Sequence, residues 1–386
     1  MVSFEFATAA RLLFGAGKIA EVPAALRAQG VRRTLVATNL PGSGADRLRS
    51  LLAVASIESV VLRVDQEPTV ELVAAGRAQI RREGCAAVVG LGGGSAMDTG
   101  KALAALATND GDLFDYLEVV GRGRPLQVPP LPFVAIPTTA GSGAEVTRNA
   151  VIAVPAAKVK VSLRSPNLLP ILAVLDPDLL DGLPQPVVVC SGLDALSHLV
   201  EALVSCRANP LTDALGAEGL RRSARALRRA YTSGLQAETR EDLMLASLCG
   251  GLCLANGGLG AVHGFAAPLG GMLRAPHGAL CAALLAPVME ANLRALAERE
   301  PEHAARARYR EIAEIVTGRH GAEADEGVAW VRDLCQTLGV RGLGHYGLSA
   351  SEIPALAAKA KAASSMRGNP LQLSDEELGD IAMRAL

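Results

Sequence analysis

Four residues in the second half of the chain have the types and spacing of a metal site: Asp194, His198, His263 and His277. Asp194 and His198 lie four residues apart in SGLDALSHLVEAL, where apolar spacing predicts a helix. On a helix both side chains then leave one face, a turn apart. His263 and His277 are fourteen residues apart, which is about 21 Å along a straight helix. Two ligands of one ion cannot stand that far apart, so the chain must bend between them. GFAAPLGGMLRAP, with its glycine pair and two prolines, is where it can. One carboxylate with three imidazoles is a donor set of borderline hardness, suited to Fe2+ or Zn2+. Any one of these histidines alone reads better as an ordinary helix or loop residue; the four together read better as a site.

Two stretches in the first half could meet an anion. GLGGGSAMDTGKALA, Gly90 to Ala104, follows the apolar run CAAVV and precedes KALAALA. Strand, glycines, helix is the order that turns backbone N–H groups and a helix N-terminus toward a phosphate. Ser95 and Asp98 have the spacing of a capping box, so Ser95 is expected to cap this helix. The stretch is not G-x-G-x-x-G, because Ser95 stands at the last glycine position, and Lys101 is wrongly spaced for a P-loop. A tight strand-to-helix turn would need the same glycines. In PFVAIPTTAGSGAEVT, Pro132 to Thr147, an apolar strand runs into hydroxyls and glycines. Thr138, Thr139 and Ser142 could serve phosphate or ribose there, or simply build a turn.

GGGSAMD, PTTAGSGAEVT, GLDALSHLVEA and the His-Gly pairs at 263 and 277 resemble, in that order, the iron-containing (group III) alcohol dehydrogenase family. The resemblance runs from LLFGAGKI to GNPLQLSDEEL, nearly the whole chain. It implies an α/β N-terminal domain that binds NAD or NADP, followed by a helical domain that holds Fe2+ or Zn2+, a dehydroquinate synthase-like architecture. It makes Asp194, His198, His263 and His277 the metal ligands and the catalytic set acting through the metal. It places Gly93, Gly94 and Ser95 at the pyrophosphate and Asp98, Thr138, Thr139 and Ser142 along the cofactor cleft, and matches Lys160 to a lysine near the cofactor ribose. The implied reaction is hydride transfer between nicotinamide and a small alcohol, aldehyde or ketone held by the metal. A homodimer or higher homo-oligomer in the cytoplasm is the implied state.

The chain leaves the family pattern twice. Members active on alcohols often carry H-x-x-x-H beginning at the third ligand; here His263 is followed four residues later by Ala267. Many NAD-preferring members have an acid where this chain has Asn39, just past a strand end. A carboxylate there would accept from the ribose 2′-OH and repel a 2′-phosphate, so Asn39 should let NADP in. Maleylacetate reductase, a dehydroquinate synthase-like lyase and an inactive scaffolding relative are the alternatives.

The elements that must position these residues change character near residue 182. Before it, RTLVAT, SVVLRV, CAAVVG, FVAIPT and ILAVLD read as strands alternating with helices from Ala45, Thr69 and Ser95, with VIAV and VKVSL as a hairpin. This predicts a mostly parallel, Rossmann-like sheet over residues 1–182. From Pro184 only helical spacing follows, so residues 183–386 are expected to be an all-α metal-binding domain, with DPDLLDGLPQP as the hinge. Composition bounds the rest. With 38 basic and 39 acidic residues there is no electrostatic footprint for nucleic acid. Mean hydropathy is +0.27, yet no run reaches the length of a membrane span, and Glu5 breaks any signal peptide. The seven cysteines, 85, 190, 206, 249, 253, 281 and 335, form no C-x-x-C and read as reduced thiols, which fits a cytoplasmic protein.

Overall fold

The computed structural model describes residues 3–157 and 159–386. The chain divides into two compact units, Ala7–Asp181 and Gly182–Leu386, the second joined by residues 3–6.

The first unit is built on eight strands: β1 (Leu12–Phe14), β2 (Arg33–Thr38), β3 (Glu58–Arg63), β4 (Ala87–Gly92), β5 (Phe133–Pro137), β6 (Asn149–Val154), β7 (Val159–Arg164) and β8 (Leu172–Leu175). Its helices are α1 (Val22–Ala28), α2 (Asp46–Val54), α3 (Val70–Glu83) and α4 (Gly94–Thr108). Six strands form one parallel sheet in the order β1-β8-β5-β4-β2-β3. The hairpin β6–β7 stands apart as a two-stranded antiparallel sheet.

A parallel sheet is covered on both faces, so its strands read as continuous apolar runs. Every residue of β4, β5 and β8 is buried. Alternate side chains, Val36, Val89, Leu91, Val134, Ile136 and Val174, share a core with Leu26, Leu48 and Leu52 of α1 and α2. Thr69 starts α3 by accepting from the Leu72 N–H at 3.2 Å. Chain order reverses between β2 and β4: β3 lies outside β2, and the next strand returns to its other side. Ligands of such sheets bind beyond the carboxyl ends of the strands at that reversal.

No strand follows β8 among the described residues. The helices of the second unit are α5 (Gln185–Val204), α6 (Pro210–Ser233), α7 (Ala237–Gly257), α8 (Ala261–Met272), α9 (His277–Arg299), α10 (Ala305–Thr317), α11 (Ala324–Thr337), α12 (Ile353–Ala362) and α13 (Asp375–Arg384). Helix α5 packs against α6, α7, α9 and α10. By length and composition α5 and α9 could cross a membrane, but 78% and 72% of their apolar windows are buried inside the protein. Their apolarity is that of a helical core, as expected of helices hydrophobic all round. The chain bends by 98° between α7 and α8, and it breaks again at Leu273–Pro276, between the two histidines that needed a bend.

Candidate functional site

The turn after β4 is formed by glycines for a steric reason. Gly92 adopts φ +150°, and a Cβ there would overlap the Asn39 side chain. Gly93 is the N-cap of α4 and makes no side-chain cap bond. Ser95 therefore does not cap the helix, contrary to the expectation from its spacing. The cap falls two residues earlier, at Gly93, and α4 begins at Gly94, which puts Ser95 inside the first turn, and the Asp98 carboxylate is taken by the Val151 N–H of β6 at 3.1 Å.

Asn39 follows β2 and the glycine turn follows β4, the two strands flanking the reversal. The Asn39 Oδ1 accepts from the Gly93 N–H at 3.1 Å. Thr139 and Ser142 lie against the same turn: Cβ atoms on Gly93 and Gly94 would come 3.3 and 3.2 Å from them. Thr138 is buried, and its N–H donates to the Gly92 carbonyl at 2.9 Å. Lys160, on the hairpin, is bound to the Glu67 carboxylate at 2.6 Å. Burial raises Asp98 to about 6 despite Lys101 nearby. It also lowers the buried Lys101 to about 8, whose Nζ donates to Thr147 Oγ1 and the Asn149 carbonyl. The glycine turn, Asn39, Thr139 and Ser142 thus share one place at the carboxyl end of the sheet, while Asp98 and Lys160 are engaged with other side chains or backbone.

In the helical unit, α5 carries Asp194 and His198 on its buried side, α8 carries His263 near its start, and His277 opens α9. The Asp194 Oδ1 is buried and has no hydrogen-bond partner among the described residues. It stands 3.5 Å from His263 Nε2 and 3.7 Å from His277 Nε2. Donors on one tetrahedral ion, with bonds of roughly 2.1 Å, lie about 3.4 Å apart. The cluster therefore has the spacing of ligands around a shared centre rather than of hydrogen-bonded side chains.

Its electrostatics ask for positive charge at that centre. Burial alone would raise the Asp194 carboxyl, but His198, His277 and His263 outweigh it and hold the group well below the ordinary carboxylate range. Burial disfavours protonated His263, yet Cys281, Asp194 and Glu201 lift its pKa well above the usual value. Cys281 and Asp194 act likewise on His277, although the 42% exposure of its side chain weakens the effect. A divalent cation would satisfy the same demand, so these residues fit the metal their types implied.

His198 is placed differently from the other three. Its ring stacks on that of His263, with centroids 4.6 Å apart and planes at 21°. The group of donors lying within 4.8 Å of one another is Asp194, His263, His277 and Cys281. Sequence reasoning passed over Cys281 and also Glu201. The Glu201 Oε2 bonds His263 Nδ1 at 2.6 Å, and its Oε1 accepts from the Val262 N–H at 2.6 Å. In its neutral form, with Nδ1 donating to Glu201, His263 would present its Nε2 lone pair on the side of Asp194. Both residues carried a signal. Glu201 is seven residues after Asp194 and Cys281 four after His277, the spacings that share a helix face. Asn369, in GNPLQL, anchors the start of α8 by accepting from the Ala261 N–H at 3.2 Å.

A parallel sheet with a glycine turn at its reversal, followed by helices that gather a buried carboxylate and imidazoles, defines the class of metal-dependent dehydrogenases with an α/β unit and a helical unit. The chain belongs to the iron-containing alcohol dehydrogenase family. The family model "Iron-containing alcohol dehydrogenase" matches residues 9–177, and "Fe-containing alcohol dehydrogenase family, C-terminal" matches residues 188–386. The chain is 34% identical over 384 residues to 1,3-propanediol dehydrogenase of Klebsiella pneumoniae, covering 96% of each. Its fold matches a crystal structure of 1,3-propanediol oxidoreductase with a TM-score of 0.92 at 32% identity, over 100% of both chains. It also matches sulfoacetaldehyde reductase from Bifidobacterium kashiwanohense in complex with NAD+, with a TM-score of 0.88 at 26% identity, over 100% of this chain and 99% of the other.

Proposed function

We propose that this protein is a nicotinamide-linked, metal-dependent oxidoreductase that interconverts a small alcohol with its aldehyde or ketone. The observation that carries the reading is Asp194 Oδ1, a buried oxygen without a hydrogen-bond partner among the described residues that faces two imidazole nitrogens at 3.5 and 3.7 Å. Asp194, His198, His263 and His277 hold Fe2+ or Zn2+ in this reading. When bound, the ion supplies Lewis acidity toward the substrate oxygen and nicotinamide supplies the hydride chemistry.

The chain's own residues position and balance charge. Asp194 neutralises part of the cation, and Glu201 fixes the tautomer and orientation of His263. Gly93, Gly94 and Ser95 offer a helix start to the pyrophosphate; Asn39, Asp98, Thr138, Thr139, Ser142 and Lys160 line the rest of the cofactor site. The Asn39 Oδ1 is taken by Gly93, which leaves its amide N–H2 to face the ribose. A neutral donor there tolerates a 2′-phosphate, so NADP should be used measurably alongside NAD. Position 267 offers no proton carrier. The thiols, all seven free, suit a cytoplasmic protein, and we take a homo-oligomer as its working state.

A screen of alcohols, aldehydes and ketones with NAD(H) and NADP(H), after anaerobic loading with Fe2+ or Zn2+, tests the reading. Turnover followed by reduced-nicotinamide absorbance should require about one ion per chain, and His263→Ala or His277→Ala should lose both ion and turnover. Full activity in protein shown to be metal-free would overturn it.

A further inference from the structure

The cluster around Asp194 contains a thiol that the carboxylate-and-imidazole ligand set does not include. We propose that Cys281 is a direct ligand of the ion, with its thiolate alongside Asp194, His263 and His277; the proposal rests on the metal reading above.

Four observations carry it. The Cys281 side chain is fully buried, at 0% exposure. Its Sγ lies 3.6 Å from His263 Nε2 and 3.6 Å from His277 Nε2, the nitrogens that Asp194 Oδ1 also faces. These four donor atoms all fall within 4.8 Å of one another. The Asp194 oxygen among them is buried without a hydrogen-bond partner among the described residues. Other thiols in the helical unit are oriented differently: the buried Cys253 and the part-buried Cys335 point Sγ at the backbone carbonyls of Thr212 and Ala282. Cys281 is one turn after His277 on α9, so the helix that delivers the imidazole delivers the sulfur with it.

Binding exchanges the S–H proton for the metal: the thiol becomes a thiolate bonded to the ion, and one proton leaves to solvent. Adding a thiolate to the carboxylate and imidazole donors softens the site. It should raise the preference for Zn2+ over harder ions such as Mn2+ and Mg2+.

Zinc-edge X-ray absorption of the full-length protein loaded with Zn2+ reads the ligand atoms directly. The expected result is one sulfur at about 2.3 Å among nitrogen and oxygen at about 2.0–2.1 Å. Cys281→Ser should remove the sulfur shell and weaken zinc by at least the roughly 10–100-fold that outer-shell partners are worth. Cys206→Ser, at an exposed thiol, should leave both unchanged. If Cys281→Ser does not fold, the spectrum of the unaltered protein still decides. Bound zinc with only nitrogen and oxygen neighbours overturns the role of Cys281 and leaves the metal reading standing; failure to take up zinc at all overturns both.

Discussion

His263 is engaged at both ring nitrogens, with Glu201 on Nδ1 and the Asp194–His277–Cys281 cluster around Nε2. Glu201→Gln keeps an oxygen for the Val262 N–H but loses the anionic acceptor that holds the ring. Metal affinity, read by chelator competition, should fall about 10–100-fold while circular dichroism stays unchanged. At Asn39 the outcome is a change of cofactor. Asn39→Asp keeps an acceptor for Gly93 and adds a charge that repels a 2′-phosphate, so kcat/KM should shift toward NAD. An unchanged ratio would mean that residue 39 does not face the ribose. Ala267 is exposed on α8, one turn after His263, so a larger side chain has room. Ala267→His should raise oxidation of small alcohols near neutral pH, by up to the roughly 10²–10⁴-fold that a positioned acid–base group is worth. A gain on small alcohols with a loss on large ones would assign the position to pocket shape instead.

Between elements, the geometry of the centre depends on where α9 begins. His277 is its first residue, and Gly278 is where α9 crosses α5. A Cβ on Gly278 would run into the Cys190 carbonyl and approach the Asp194 Cβ to 3.2 Å. Gly278→Ala must therefore push the start of α9 away from α5. Overpacking of this kind costs about 1–3 kcal/mol, and here it also separates His277 from Asp194. Calorimetry should show a lowered Tm, and metal affinity should fall with it. Gly379 in α13 is the control, since a Cβ there meets nothing within 4 Å; Gly379→Ala should stabilise by roughly 0.5–1 kcal/mol and leave the metal untouched.

For the molecule as a whole, pH acts through a charged cluster buried in the first unit. Burial raises Glu145 to about 7, opposed by its own backbone bond and by Lys101. A carboxyl with a raised folded pKa contributes stability fully below its ordinary value of 4.5, and that contribution is lost as pH rises through about 7. Lys101 has the opposite sign: its contribution is present above 10.5 and lost as pH falls through about 8. Between those two values the unit carries both charges at their least favourable. Glu145→Gln, which mimics the protonated acid, should raise Tm by a few degrees near pH 8 and leave it unchanged near pH 4. A gain of equal size at both pH values would mean that Glu145 ionisation does not limit stability.

Much of this was written locally. Strands β2, β4, β5 and β8 are apolar runs bounded by turn residues, and the helices of the second unit carry their period over many turns, so both were readable from sequence. Strand β1 was not, because three residues pairing only with β8 at the sheet edge are too short to show a period. The Asp194–His198 spacing and the breakable stretch before His277 pointed to a cluster of carboxylate and imidazoles, and the residue types alone set its donor chemistry. Helical spacing defines a face but not what that face meets. Glu201 and Cys281 share faces with Asp194 and His277, yet only the packing of α5, α8 and α9 makes one a clamp on His263 and the other a neighbour of two imidazoles. The same holds at the glycine turn, where local spacing favoured Ser95 as the cap. Tertiary structure engaged Asp98 with β6 and began the helix at Gly94, because a part-buried carboxylate takes a free backbone donor that packing presents to it.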